Sequence, residues 1–340
     1  MKKQFISMKF RLTPAMLAML VAILIGAAVN FSQFLTVGNA YNIIRQFVTN
    51  AILALGMSFV IISGSIDLSV STNLVMASFL AMRLIHVSFA LAVAAALIFG
   101  LTAGFVNGLL ITKVNFPPMI ATYSTQMLIK GIVLVLTGGS TYNPLVVHPA
   151  IRYLGFGDVF GAIPFSLIFF LVIFAICAFL INRIPLVRNV YAVGANEEAA
   201  KMMGVNVVQT KLVAHILCAV LASIAGINVA ARTGAAVTAA GDGYDMLAVA
   251  SVVIGGTMMS GGRGKLSSSI LGALVVSTVS NIFKLQQFLN VYWERAIIGL
   301  VLLIVLLFQV AGEHGMGRLT LSDPKKRHKG ENALQGGTDK

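Results

Sequence analysis

Apolar runs recur along this chain at 13–32, 43–64, 89–111, 118–137, 163–182, 212–231 and 292–311. Each is about 20 residues long, enough for a helix to cross the hydrocarbon core of a bilayer. Three further runs are interrupted: 70–88 by Ser71, Thr72, Asn73 and Ser78, 246–261 by glycines, and 267–285 by a serine-rich start. Together they predict about ten transmembrane helices. No polar block between 13 and 311 is large enough to fold separately. The pattern therefore predicts an all-α, polytopic integral membrane protein with one transmembrane domain, 13–311, between tails at 1–12 and 312–340.

Composition agrees. Of 340 residues, 58% are hydrophobic and 10% charged, against about 25% charged in a soluble domain. The start, 1–30, pairs a basic region with an apolar stretch and could be read as a cleavable signal, but the stretch is long enough to remain as an anchor.

The net charge of +13 would suggest a polyanionic partner in a soluble protein. Here its placement argues otherwise. Basic residues collect at Lys2, Lys3, Lys9 and Arg11, in the central stretch Arg183, Arg188, Lys201 and Lys211, and at Arg318, Lys325, Lys326, Arg327 and Lys329. With about ten alternating spans, these clusters, Lys113, and the pair Arg263 and Lys265 fall on one side, the cytoplasmic side by the positive-inside rule. Both termini are then cytoplasmic, a lipid bilayer is the partner in place of nucleic acid, and 138–162 faces outward with the turn-rich composition of a surface loop that could meet an extracytoplasmic partner.

Candidate chemistry is sparse. The stretch Tyr191 to Gly204, YAVGANEEAAKMMG, reads as a two-turn helix outside the membrane. Asn196 caps it, Glu197 and Glu198 lie in its positive first turn, and Gly204 can end it in a left-handed conformation. It is either a connector or a docking helix for a cytoplasmic protein. The glycine-rich stretch 255–265 is no P-loop, because Met259 stands where the first glycine belongs and Leu266 follows Lys265 in place of Ser or Thr. It reads as close helix packing and a tight turn. Asp67 is a helix cap with Ser69, an ion or proton coupling site, or a polar gate, as a carboxylate at membrane depth is expensive. The histidines are scattered, Cys177 and Cys218 fall inside apolar runs, and no arrangement suggests a metal, a cofactor or a catalytic constellation.

Four stretches carry a resemblance in order: GMSFVIISGSIDLSVSTNLVMA at 56–77, FPPMIATYSTQMLIKG at 116–131, YAVGANEEAAKMMGVNV at 191–207, and GYDMLAVASVVIGGTMMSGGRGKLSSSILGALV at 243–275. They resemble the permease subunits of ribose-type sugar ABC importers over nearly the whole chain. Departures are Ser65, Ser71 and Ala195 where glycines are usual, Lys130 for arginine, and Leu247 where an acid is common. The resemblance implies a bacterial inner-membrane, multi-pass permease that translocates a small sugar or sugar-like solute. It implies a solute-binding protein outside the membrane, a cytoplasmic ATPase subunit that binds the ATP, and a second permease copy or paralogue. It makes 191–204 the coupling helix, with Gly194, Asn196, Glu197, Glu198, Ala199, Ala200 and Gly204 in contact with the ATPase, and makes the chain a transport subunit rather than an enzyme. An ion- or proton-coupled secondary transporter acting through Asp67 is the alternative.

Polar residues inside spans are the candidates for a translocation path. Asn73, Thr122, Tyr123, Gln126 and Asn281 lead, with Tyr123 and Gln126 three apart on one helical face, followed by Asn50, Ser58, Thr125 and Asn228. Many such residues serve instead as interhelical glue. A weak internal similarity links 58–70 with 251–263, as in transporters whose repeated, broken helices frame a midplane site.

Overall fold

A computed structural model describes residues 31–144, 148–161, 163–285 and 292–321, together with Val21 and Ile25. Helices dominate it: α1 Val37–Ile62, α2 Val70–Leu84, α3 Phe89–Thr112, α4 Pro118–Thr137, α5 Pro149–Phe156, α6 Phe165–Arg183, α7 Val190–Ala195, α8 Glu197–Met202, α9 Val207–Thr233, α10 Tyr244–Ile254, α11 Leu266–Leu285 and α12 Tyr292–Leu321. A two-residue hairpin, β1 Asp158–Val159 with β2 Ile163–Pro164, follows α5.

Among the described residues six helices are long and apolar enough to cross a membrane: α1, α3, α4, α6, α9 and α11. The chain is thus an all-α polytopic membrane protein. The expected span 13–32 lies almost wholly outside the described residues, and 292–311 falls within α12. Two expected spans are instead short. Helix α2 has 15 residues and α10 has 11, about 22 and 16 Å at 1.5 Å per residue, against a core of about 30 Å. Their interruptions act as breaks: α1 stops at Ile62 and the chain unwinds through Gly64, at φ +80°, before α2 starts.

Helix α1 is the hub, with 83% of its most apolar stretch buried inside the protein against 22% for α3. Protein and lipid interiors are equally apolar, so α1 needs no polar outer face and α3 needs only a narrow inner stripe. That stripe is made of small residues at four-residue spacing, Ala92, Ala96, Gly100, Gly104 and Gly108, and it packs on α9. A Cβ at Gly104 would lie 2.6 Å from the His215 carbonyl oxygen, so only glycine permits this approach.

Buried polar pairs pin α1 to its neighbours. Asn50 donates to Ser277 at 2.8 Å and Ser58 to Ser269 at 2.8 Å, both on α11, and Asn228 of α9 donates to Thr49 at 2.9 Å. Asn39 and Asn281 exchange amide bonds at 3.0 and 2.8 Å. Each would be an orphaned polar group in hydrocarbon, so the pairing fixes helix register.

Candidate functional site

The polar and glycine-rich features converge on three connected places. The first is the segment Tyr191 to Gly204. Asn196 accepts a bond from the Ala199 amide at 2.9 Å, Glu197 and Glu198 sit in the first turn of α8, and Gly204 takes φ +83°. The discrete capped helix expected from the sequence is present, and Glu197 pairs with Lys211 at the foot of α9. Ala200 faces inward, whereas Asn196, Glu197, Glu198 and Ala199 are exposed. Met202 and Met203 are 89% and 84% exposed.

Just before it, α7 wedges against both chain breaks. A Cβ at Gly194 would overlap the Ile62 carbonyl oxygen and lie 2.6 Å from the Gly262 amide nitrogen. Gly261 and Gly262, both left-handed, close the contact, and the Gly262 amide donates to Ile62 at 2.8 Å. The Tyr191 hydroxyl donates to the Gly264 carbonyl at 3.2 Å, and burial raises its pKa, which keeps it a donor. Helix α7 thus touches the end of α1 and the loop joining α10 to α11 at once. The turn-forming role read for 255–265 fits this seat.

The second place is Asp67, on the break before α2. It is fully buried. One carboxylate oxygen accepts from the Ser69 amide at 2.9 Å and hydroxyl at 2.6 Å, and the other meets Nδ1 of His215, also fully buried, at 3.2 Å. Asn73 and Asn107 both donate to the Ser69 hydroxyl, at 3.1 and 2.8 Å. Thr122 of α4 accepts from the Leu68 amide at 3.1 Å. The cap read for Asp67 and Ser69 is only partly present: Asp67 holds the Ser69 amide, but Ser69 at the N-cap position makes no side-chain capping bond to α2, and its hydroxyl instead joins a network tying the break to α3, α4 and α9. The sequence reading left out His215 as a scattered histidine. A histidine in mid-span needs a partner, and that cost was the available signal.

The third place is a cavity of about 310 Å³ between α2, α4, the segment 234–243 and the start of α12. Gln126 donates to the Ser71 hydroxyl at 2.9 Å and to Asp245 at 3.2 Å. Lys130 pairs with Asp242 at 2.9 Å, and Arg295 donates to the Asp242 carbonyl at 3.4 Å. The single turn Thr238–Gly241 presses onto α2, where a Cβ at Gly241 would lie 2.5 Å from the Ser71 carbonyl oxygen. The chain therefore dips inward here before α10 begins.

Of the path candidates, Gln126 lines this cavity. Asn73 and Thr122 belong to the Asp67 network, Asn281 pairs with Asn39, and Tyr123, about half exposed, does not share the Gln126 environment. Asp242, Asp245 and Arg295 were not singled out by sequence. They stand at the ends of interrupted runs, where charge reads as loop.

Residues 39–306 match the family described as branched-chain amino acid transport system / permease component. The chain is 34% identical over 297 residues to the ribose import permease protein of Escherichia coli (strain K12), covering 86% of this chain and 92% of that one. It is 32% identical over 288 residues to the D-allose transport system permease protein of the same strain, 83% and 86% covered. With the autoinducer 2 import system permease protein of Yersinia pestis (strain Pestoides F) it shares 33% identity over 259 residues, 76% and 73% covered. No solved structure matches it.

Proposed function

The chain belongs to the branched-chain amino acid transport system / permease component family and is a permease subunit of an ABC importer, and from that premise we propose that its cargo is a small sugar or sugar-like solute. The relatives named for ribose, allose and autoinducer 2 match it over most of their length, which favours a hydroxylated cargo over the amino acid in the family's description.

In this reading the protein sits in the bacterial inner membrane with about ten spans and both termini in the cytoplasm. Its tails are 1–12 and 312–340, and the transmembrane domain is 13–311. A binding protein delivers the solute from outside, a second permease copy or a paralogue completes the pore, and a separate cytoplasmic ATPase holds the ATP. Gly194, Asn196, Glu197, Glu198, Ala199, Ala200 and Gly204 form the ATPase-coupling element. Met202 and Met203 add an adaptable apolar contact of the kind flexible thioethers make at docking surfaces. Gln126 lies on the solute path.

The observation that carries this reading is the seat of α7 on both chain breaks through Gly194. A push on α8 from an ATPase would reach α1 and the α10–α11 loop together, which is what rocking one part of a transporter against another requires. Deleting residues 197–203 tests it. The shortened chain should insert normally but lose ATPase docking and transport, whereas a fully active deletion would overturn the assignment.

A further inference from the structure

We propose that the hairpin β1–β2 is a membrane-surface anchor whose tip, Phe160, enters the lipid headgroup boundary at the end of α6 remote from α7.

The turn itself points to a partner. Val159 pairs with Ile163, so Phe160 and Gly161 open the loop between the strands, at φ +55° and +67°. Left-handed residues in a hairpin turn are ordinarily Gly, Asn or Asp. A bulky phenylalanine there is a steric outlier. It is also 96% exposed. A side chain that strains its own backbone, and is left almost wholly uncovered by the protomer, has its partner outside the protomer.

Depth identifies that partner. The hairpin is fixed to the start of α6: the Phe165 amide donates to the Gly157 carbonyl at 2.8 Å, and the Tyr153 ring meets that of Phe165 at 4.9 Å between centroids. Helix α6 has 19 residues, about 28 Å, which matches a hydrocarbon core of about 30 Å. Its other end, the exposed Arg183, leads through 184–189 into α7. With Arg183 at one boundary of the core, the hairpin stands at the opposite one. Its backbone stays out of hydrocarbon, where the unpaired edges of two strands would go unsatisfied, but a side chain can enter. Asp158, exposed and charged, keeps the base of the hairpin in water while the phenyl ring at the tip dips in.

Position around the molecule favours lipid over a docked protein. Helix α6 packs on α1 and α5. Its other face presents Leu171, Val172, Ile176 and Phe179, all exposed and apolar, which is a surface for lipid. Phe156 and Ile163, also exposed, flank the tip with further apolar area. The cavity is lined instead from α2, α4, α12 and 238–243. A protein delivering solute would be centred over those elements, whereas the rim at α6 meets the bilayer. Held there, the tip sets the depth of α6 in the membrane.

Trp293 is the sole tryptophan of the chain, so the full chain carrying Trp293→Phe with Phe160→Trp reports from the tip alone. The test places it in lipid nanodiscs, where both faces are open to solvent. Its emission should lie toward short wavelengths, and lipids brominated near the headgroup end of their chains should quench about half of it or more. Lipids brominated near the chain ends should quench it less, and aqueous iodide should quench it weakly. If Phe160→Trp does not insert, Ile163→Trp in the same background decides by the same readings. Strong quenching by iodide with little by brominated lipid puts the tip in water, and weak quenching by both puts it in a protein contact. Either result overturns the anchor.

Discussion

At the residue scale, one methyl group at Gly194 discriminates between a seat and a spacer. A Cβ there would overlap the Ile62 carbonyl, while one at Gly131 would meet nothing within 4 Å. Overpacking of this kind costs about 1–3 kcal/mol. Gly194→Ala should reduce transport at least about tenfold with the chain inserted, because the strain falls on the joint itself; Gly131→Ala should be silent. Measuring uptake and membrane level of both variants checks this. Asp67 and His215 present a second residue-scale case. Removing one partner of a buried pair costs about 3–5 kcal/mol, since the other is left uncompensated. Thermal unfolding in detergent should therefore show His215→Ala and Asp67→Ala strongly destabilised. A double substitution to a matched neutral pair, Asp67→Asn with His215→Gln, should recover much of that loss.

At the element scale, chain breaks and small-residue stripes do the organising. The stripe at Gly100, Gly104 and Gly108 lets α3 lie against α9, so Gly104→Leu should separate them and lower the yield of folded protein several-fold, as followed by size-exclusion profiles. The exposed Lys130–Asp242 pair also predicts chemistry. A cysteine replacing Lys130 should react with a membrane-impermeant thiol reagent, while one replacing Leu128 or Val135 should not, because those side chains face outward as exposed apolar groups. The native thiols are buried and should stay silent.

What the sequence made legible follows from the range of each interaction. The six spans among the described residues were readable because hydrophobicity is a property of consecutive residues. The cap at Asn196 and the turn at Gly204 were readable because their partners lie within a few positions. The shortness of α2 and α10 was visible only as Ser, Thr, Asn and Gly interruptions, which do not say whether a helix bends or stops. His215 with Asp67 is separated by 148 residues and Gln126 with Asp245 by 119. No local period records such a pairing. Tyr123 and Gln126 share a helical face by spacing, yet only Gln126 turns to the cavity, since the helix neighbour rather than the spacing decides which part of a face is covered.

At the scale of the whole molecule, the seat of α7 lies at one end of a continuous chain of contacts and the polar cavity at the other. From α7 the contacts run through Ile62 and Gly262 to the two breaks. The first break carries Asp67, Ser69 and Leu68, the last bonded to Thr122 one helical turn before Gln126. Helix α2 starts at the same break and presents Ser71 to Gln126. Motion imposed at α8 can therefore reach the cavity through packed contacts alone. The most direct measurement is sugar uptake into proteoliposomes holding this permease and its binding protein, with the ATPase and ATP added or withheld and no ion gradient. Uptake that appears only when both are present is the predicted result. Uptake that proceeds without them, or that follows an imposed proton or sodium gradient, would contradict the account.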